Sequence, residues 1–192
     1  MALTNGLEAI KVLLSCVQAD SSHVSHVIVE EKQTEAKLKK LTISELAPGV
    51  IVLATDEGRK RTPLVCMSPL FADDGKYDQN RACDAVFIRK AEHGYEICYV
   101  ELKSDSPSGY EGQFKSTQCF MAYVSALSKS LCQHPINFTR ERYVVFHTDS
   151  KNAKNYGVKS KTRFSPNDAN APSSPKKFCV RNGDTVRFSE FF

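Results

Sequence analysis

Asp84, Glu101 and Lys103 bring two carboxylates and an ammonium into short, otherwise apolar stretches of chain. Residues 84–88 read Asp-Ala-Val-Phe-Ile and residues 95–103 read Tyr-Glu-Ile-Cys-Tyr-Val-Glu-Leu-Lys, with Arg-Lys-Ala-Glu-His-Gly between them. This is the pattern of a β-hairpin closed by a six-residue turn. With the reversal centred between Glu92 and His93, facing residues have numbers that sum to 185, which sets Asp84 opposite Glu101. Side chains alternate along a strand with period two, so Lys103 projects on the face of Glu101. Like charges directly opposite one another destabilise a sheet, and the apolar neighbours Val86, Phe87, Ile97 and Val100 raise that cost. A divalent cation removes it. Mg2+ usually takes one or two protein carboxylates and leaves its other positions to water and substrate phosphate, an arrangement suited to phosphodiester hydrolysis.

Cys83-Asp84 followed by Glu101-Leu102-Lys103 resembles the acidic residue plus Glu-X-Lys signature of the PD-(D/E)XK nuclease superfamily, with Cys83 where a proline is usual. The resemblance implies a restriction-endonuclease-like core and a Mg2+ or Mn2+ ion held by Asp84 and Glu101, with the backbone carbonyl of Leu102 joining them. It gives Lys103 the task of positioning or activating the attacking water. The plain alternative is a solvated surface hairpin, since Glu-X-Lys alone is a weak motif. The facing register, the apolar strands and the elements that follow all favour the site.

After Lys103, Ser104-Asp105-Ser106-Pro107 breaks the strand, and Ser108-Gly109-Tyr110-Glu111 has the form of a capping box, so a helix is expected to start there. Phe120, Val124, Leu127 and Leu131 recur at helical spacing and define the expected buried face, away from Lys115, Ser125 and Lys129. Gln113 falls on the inward side near the helix start, whereas Gln118 points largely away. The Gln113 amide is thereby expected close to Lys103, able to bind water, a phosphate oxygen or a catalytic side chain; the plainer role is a glutamine satisfied by nearby backbone. A glutamine on the helix after Glu-X-Lys is similar to the pattern in many nucleases of the superfamily. No tyrosine follows four residues after Gln113 or Gln118, which sets the chain apart from RecB-like exonucleases.

Arg142 to Thr148 has the profile of a buried strand, expected to lie beside the hairpin after a right-handed crossover. Residues 49–54 and 63–67 supply further strands. The expected fold class is α/β, a central mixed β-sheet flanked by helices. Within a single domain spanning 1–192, residues 1–42 are expected to be helical, residues 43–150 to form the core, and residues 151–192 to hold a basic loop and a C-terminal hairpin. In the first part, Leu7, Ile10, Leu14 and Val17 make one helical face with Asn5 and Glu8 placed for a cap, and Thr34 to Leu41 suggests a second, charged helix. Related nucleases sometimes add an early acid to the metal site; Glu8, Glu30, Glu31 and Glu35 are available, and nothing local selects one. Near the end, Asn182-Gly183 between two β-rich runs, 178–181 and 184–188, is a strong type I′ hairpin signal.

The 192 residues are 41% apolar and 25% charged, enough for a sizeable core. Seven cysteines form no C-x-x-C pair and five histidines are scattered, which argues against a disulfide framework or a zinc site. Cys98 and His147 as nucleophile and base are disfavoured because Cys98 falls on the face opposite Glu101. No apolar run approaches the roughly 20 residues of a bilayer span, and the first basic residue is Lys11, unlike a signal peptide, so a cytoplasmic protein without membrane contact is expected. Residues 150–192 hold nine Lys or Arg against three acids, a balance suited to a phosphate backbone. DNA is the substrate expected by analogy. The resemblance further implies a prokaryotic restriction or antiphage setting and an ATPase, targeting subunit or homodimer partner. Two other readings are a non-catalytic module binding nucleic acid or protein on the same fold, and an RNA-cleaving toxin.

Overall fold

The computed structural model describes residues 5–60, 77–105, 107–148 and 170–192, with residues 58 and 59 by backbone alone. Six strands form a mixed sheet: β1 (Val17–Asp20), β4 (Val50–Leu53), β5 (Ala85–Ala91), β6 (Gly94–Lys103), β7 (Phe138–His147) and β8 (Lys176–Cys179), in that spatial order. The ladders from β1 to β6 are antiparallel, and those from β6 to β8 are parallel. Central strands covered on both faces read as unbroken apolar runs, which is why Val50–Leu53 and residues 85–88 do not alternate with polar residues.

Each face of the sheet has its own core. On one face lie α1 (Gly6–Leu13) and α3 (Tyr110–Cys132), whose Leu7, Ile10, Phe114, Met121 and Val124 pack on Ile51, Val86, Ile88, Ile97, Tyr99 and Val145. On the other lies a second sheet of three strands, β2 (His26–Glu30), β3 (Lys40–Ser44) and β9 (Thr185–Arg187). Its Val27, Val29, Leu41, Ile43 and Val186 meet Val50, Val52, Phe87, Val100, Val144 and Phe146, and Phe178, Phe188 and Phe191 fill the space between. Phe191 stands edge-on to Phe87, Phe146 and Phe188 at centroid distances of 5.6, 5.5 and 5.7 Å. A further short helix, α2 (Thr55–Arg59), is a single turn directly after β4.

The architecture is therefore α/β with a mixed sheet, but helices cover one face and a second sheet covers the other. Residues 17–20, 26–30 and 40–44 are strands, so among the described residues of the first 42 only α1 is helical, and residues 34–39 form turns and loop. Asn5 caps α1 as expected, its side-chain oxygen accepting from the N–H groups of Leu7 (2.8 Å) and Glu8 (3.2 Å). The expected C-terminal hairpin does not form. The Asn182-Gly183 turn is present, with Gly183 at φ 85°, yet β8 joins β7 and β9 joins β3, so the turn carries the chain between sheets. The expected strand 63–67 lies outside the described residues, as do residues 150–169 of the basic segment. Among the described residues, no helix is long and apolar enough to cross a membrane.

Candidate active site

The hairpin pairs Ala85 with Val100, Val86 with Tyr99 and, at its tip, Ala91 with Gly94. Every pair sums to 185, so the register is the expected one, but the strands run further than expected and only Glu92 and His93 form the loop. Gly94 takes φ 145°, and a side chain there would meet the carbonyl oxygen of Asn137 at 2.6 Å. Only glycine fits that position.

One step past the last pair, Asp84 and Glu101 face one another at the open end of the hairpin. Asp84 is 5% exposed and Glu101 wholly buried. Asp84 Oδ2 accepts from the Leu102 N–H at 2.6 Å, which ties the aspartate to the neighbouring strand. Glu101 Oε1 lies 2.6 Å from Lys103 Nζ, but the pair is out of hydrogen-bond alignment, and neither Glu101 oxygen receives an aligned hydrogen bond. Lys103 Nζ instead donates to Gln113 Oε1 at 2.7 Å, and Gln113 Nε2 donates to the Ala82 carbonyl at 3.3 Å. Asp84, Glu101, Lys103 and Gln113 thus form one connected cluster.

Two threonines hold the aspartate in place from either side. Thr55 donates its hydroxyl to the Cys83 carbonyl at 2.5 Å, and Thr117 accepts from the Cys83 N–H at 2.9 Å while donating to the Gln113 carbonyl at 2.8 Å. The residue before Asp84 is therefore clamped between α2 and α3. The helix that brings Gln113 and Thr117 here starts at the expected place, but not by the expected cap. Gly109, at φ 72°, precedes the first turn without a side-chain cap, so Ser108 and Glu111 do not make a capping box. Its buried face is also rotated from the expected one, to Phe114, Thr117, Met121, Val124 and Ser128, leaving Leu131 70% exposed. Gln118 bonds to Glu141 on β7 at 2.7 Å.

Burial pushes the Glu101 carboxyl up to about 7, against the opposing influence of the Lys103 charge and the Gln113 amide. Burial, and then the charge of Glu101, raise Asp84 well above its ordinary value, with the Leu102 N–H working the other way. Asp56, at the start of α2, adds negative potential at both groups, and Glu31, just after β2, adds it at Asp84. Of the four early acids, Glu31 is the one felt by Asp84; Glu30 lines a small cavity of about 200 Å³ with Asp84, Glu57 and Lys32. Glu8 pairs with Lys11 at 2.6 Å, and Glu35 is exposed. Asp56 was not foreseen. Its only sequence signal is an acid in the first turn after an apolar strand, which says nothing about proximity to Asp84.

Two buried carboxylates on adjacent strands, one with both oxygens lacking aligned donors, suit a hard divalent cation that completes its shell with water and phosphate. Among the described residues, no three or more His, Cys, Asp or Glu side chains gather as a metal-holding group. Cys98 points to the opposite face, into the core between the sheets. His147 stands beside Lys103 in the parallel ladder, and Cys179 of β8 stands beside His147. No protein-family model, curated protein or solved structure matches this chain.

Proposed function

We propose that the chain is a metal-dependent nuclease that hydrolyses phosphodiester bonds, DNA by preference, with Mg2+ or Mn2+ held by Asp84, Glu101 and the Leu102 carbonyl. The observation that carries this reading is Glu101: a wholly buried carboxylate without an aligned donor, facing a second buried carboxylate. A buried charge in that state costs several kcal/mol unless something of opposite sign meets it, and the Lys103 ammonium beside it is shared with Gln113. When bound, the cation supplies charge neutralisation at the scissile phosphate and lowers the pKa of a coordinated water.

The chain's own groups do the rest. An ammonium has three donors. Gln113 and Glu101 fix the direction of Lys103 Nζ, leaving a donor to orient the attacking water or hold a phosphate oxygen. Gln113, anchored to the Ala82 carbonyl, holds the Lys103 ammonium from one side while Glu101 meets it from the other. Thr55 and Thr117 fix the Cys83 backbone that leads into Asp84, so the carboxylate meets the ion without first being ordered. An ATPase or targeting subunit, or a second copy, would bring the substrate, and a prokaryotic restriction or antiphage setting follows from the resemblance alone.

The test is cleavage of plasmid and labelled oligonucleotides with Mg2+, with Mn2+ and with chelator. Cleavage is expected only with metal, and Asp84→Asn, Glu101→Gln and Lys103→Met are each expected to abolish it in folded protein. Metal-independent cleavage, or full activity in these variants, overturns the assignment. A folded wild type that binds nucleic acid but never cleaves it points instead to a binding module, and one that degrades RNA in preference to duplex DNA points to an RNA-directed enzyme.

A further inference from the structure

The parallel half of the sheet sets a second row of residues beside the proposed site. Lys103 is the Cα partner of His147, and His147 is the partner of Cys179. Partners in a parallel ladder project on the same face, here the face covered by α3, where Tyr143 and Val145 of the same strand are buried. Two residues earlier on β8, Lys177 shares that face, its Nζ lying 5.1 Å over the ring of Tyr110 in the first turn of α3. His147 is half-buried, its Nδ1 3.1 Å from the Thr148 carbonyl, while Lys177 and Cys179 are exposed. The Thr148 N–H in turn donates to the Lys103 carbonyl at 3.2 Å, locking the ends of β6 and β7 together.

We propose that Lys103, His147 and Lys177 form a phosphate-binding track, with the nucleic-acid backbone running from the metal pair across the ends of β6, β7 and β8. This rests on the nuclease reading and names the path of its substrate. Three considerations support it. Lys103 and His147 are the last residues of the parallel strands β6 and β7, the end at which ligands of open α/β sheets bind, and Lys177 lies two residues before the end of β8. The row carries positive charge and begins at the residue that faces the scissile phosphate. Strand spacing puts β8 about 10 Å from β6, roughly three nucleotides of rise along one strand. Tyr110 holds Lys177 over its ring and limits the freedom lost on binding.

The competing path lies along the outer face of α3, in a cavity of about 790 Å³ bordered by Tyr77, Tyr123, Arg81 and Lys115. Both of its cations are matched by acids, Arg81 with Asp78 at 2.8 Å and Lys115 with Glu111 at 2.6 Å, whereas on the track Lys103 has Glu101 beside it but Lys177 pairs with no acid among the described residues. Each path carries one exposed cysteine, Cys179 on the track and Cys119 in the cavity.

The experiment is thiol footprinting of the full chain with Ca2+ in place of Mg2+, with and without a labelled oligonucleotide, reading each modified cysteine by mass spectrometry. Bound nucleic acid is expected to slow alkylation of Cys179 several-fold and to leave Cys119 unchanged. In parallel, Lys177→Ala is expected to weaken binding about 3- to 10-fold near 0.1 M salt and to reduce the slope of log affinity against log salt by about 0.7–0.9. His147→Ala is expected to weaken binding, and His147→Gln to recover part of the loss. Lys90→Ala, exposed near the hairpin tip, serves as the unaffected control. Protection of Cys119 instead of Cys179, or an unchanged salt slope in Lys177→Ala, overturns the track while leaving the nuclease reading intact. A wild type that neither binds nor cleaves nucleic acid overturns both.

Discussion

Glu101 is the residue on which chemistry and stability meet. Burial holds its carboxyl at about 7 in the folded chain, above its ordinary 4.5, so across that window the folded state keeps a proton that the unfolded state releases. The folded state binds more protons there, and stability therefore falls as pH rises from about 4.5 to about 7. Asp84 is raised in the same direction and adds to the loss. Urea denaturation in chelator is expected to show a lower midpoint at pH 8 than at pH 5, and Glu101→Gln to flatten the difference while removing cleavage. A midpoint that rises with pH would contradict the burial argument. Mn2+ at about 100 times its Kd is expected to add about 2.7 kcal/mol at pH 8 to the wild type and little to Glu101→Gln. Gln113 acts through Lys103, so Gln113→Ala is expected to lower cleavage about 10- to 100-fold with metal affinity largely kept. Equal losses in both would mean that the amide serves the fold and not the lysine.

At the scale of elements, the hairpin was legible because its signal is arithmetic: two apolar runs with period two and a reversal between them fix which residues face each other. The length of its turn was not, because Arg89 and Lys90 look like loop residues while pairing as strand with Glu96 and Tyr95. Arg89 also forms an ion pair with Glu96, and its guanidinium lies 4.6 Å over the ring of Phe192. The buried face of α3 differs from the expected one for a related reason. Thr117 and Ser128 look polar, but each spends its hydroxyl on a nearby carbonyl, of Gln113 and His134, and then packs as a small apolar residue. The C-terminal hairpin failed differently: a turn signal identifies a reversal and not the partners of its strands. Here the Asn182 side chain accepts from the N–H groups of Lys39 (2.8 Å) and Lys40 (2.9 Å), fastening the turn to the second sheet. The hairpin tip gives a sharp check. Gly94→Ala forces a side chain into the Asn137 carbonyl at φ 145° and is expected to cost about 2 kcal/mol or more, read by denaturation, with metal affinity of the folded protein unchanged.

At the scale of the whole molecule, one central sheet separates two tasks. The α3 face carries Asp84, Glu101, Lys103 and Gln113, and the opposite face is closed by a second sheet and a knot of phenylalanines. Fold class was readable from strand–helix–strand order, whereas the second sheet was hidden because β2, β3 and β9 are short and β9 lies far from the others in sequence. Phe191 is fully buried among Phe87, Phe146 and Phe188. Phe191→Ala is expected to destabilise the protein by about 3–5 kcal/mol in urea or heat, without changing the metal requirement of whatever activity the folded fraction shows. A loss of less than about 1 kcal/mol would mean that the end of the chain is not part of the core.

The mutual repulsion of Asp84 and Glu101 also bears on how long each molecule survives. Proteases sample the opened form in proportion to its population when reclosing is fast. A chain that tightens on loading and slackens when empty would be cleared selectively in its ion-free state. Its surviving pool would then be enriched in molecules ready to act, and its turnover would follow the local supply of divalent ions without any dedicated regulator.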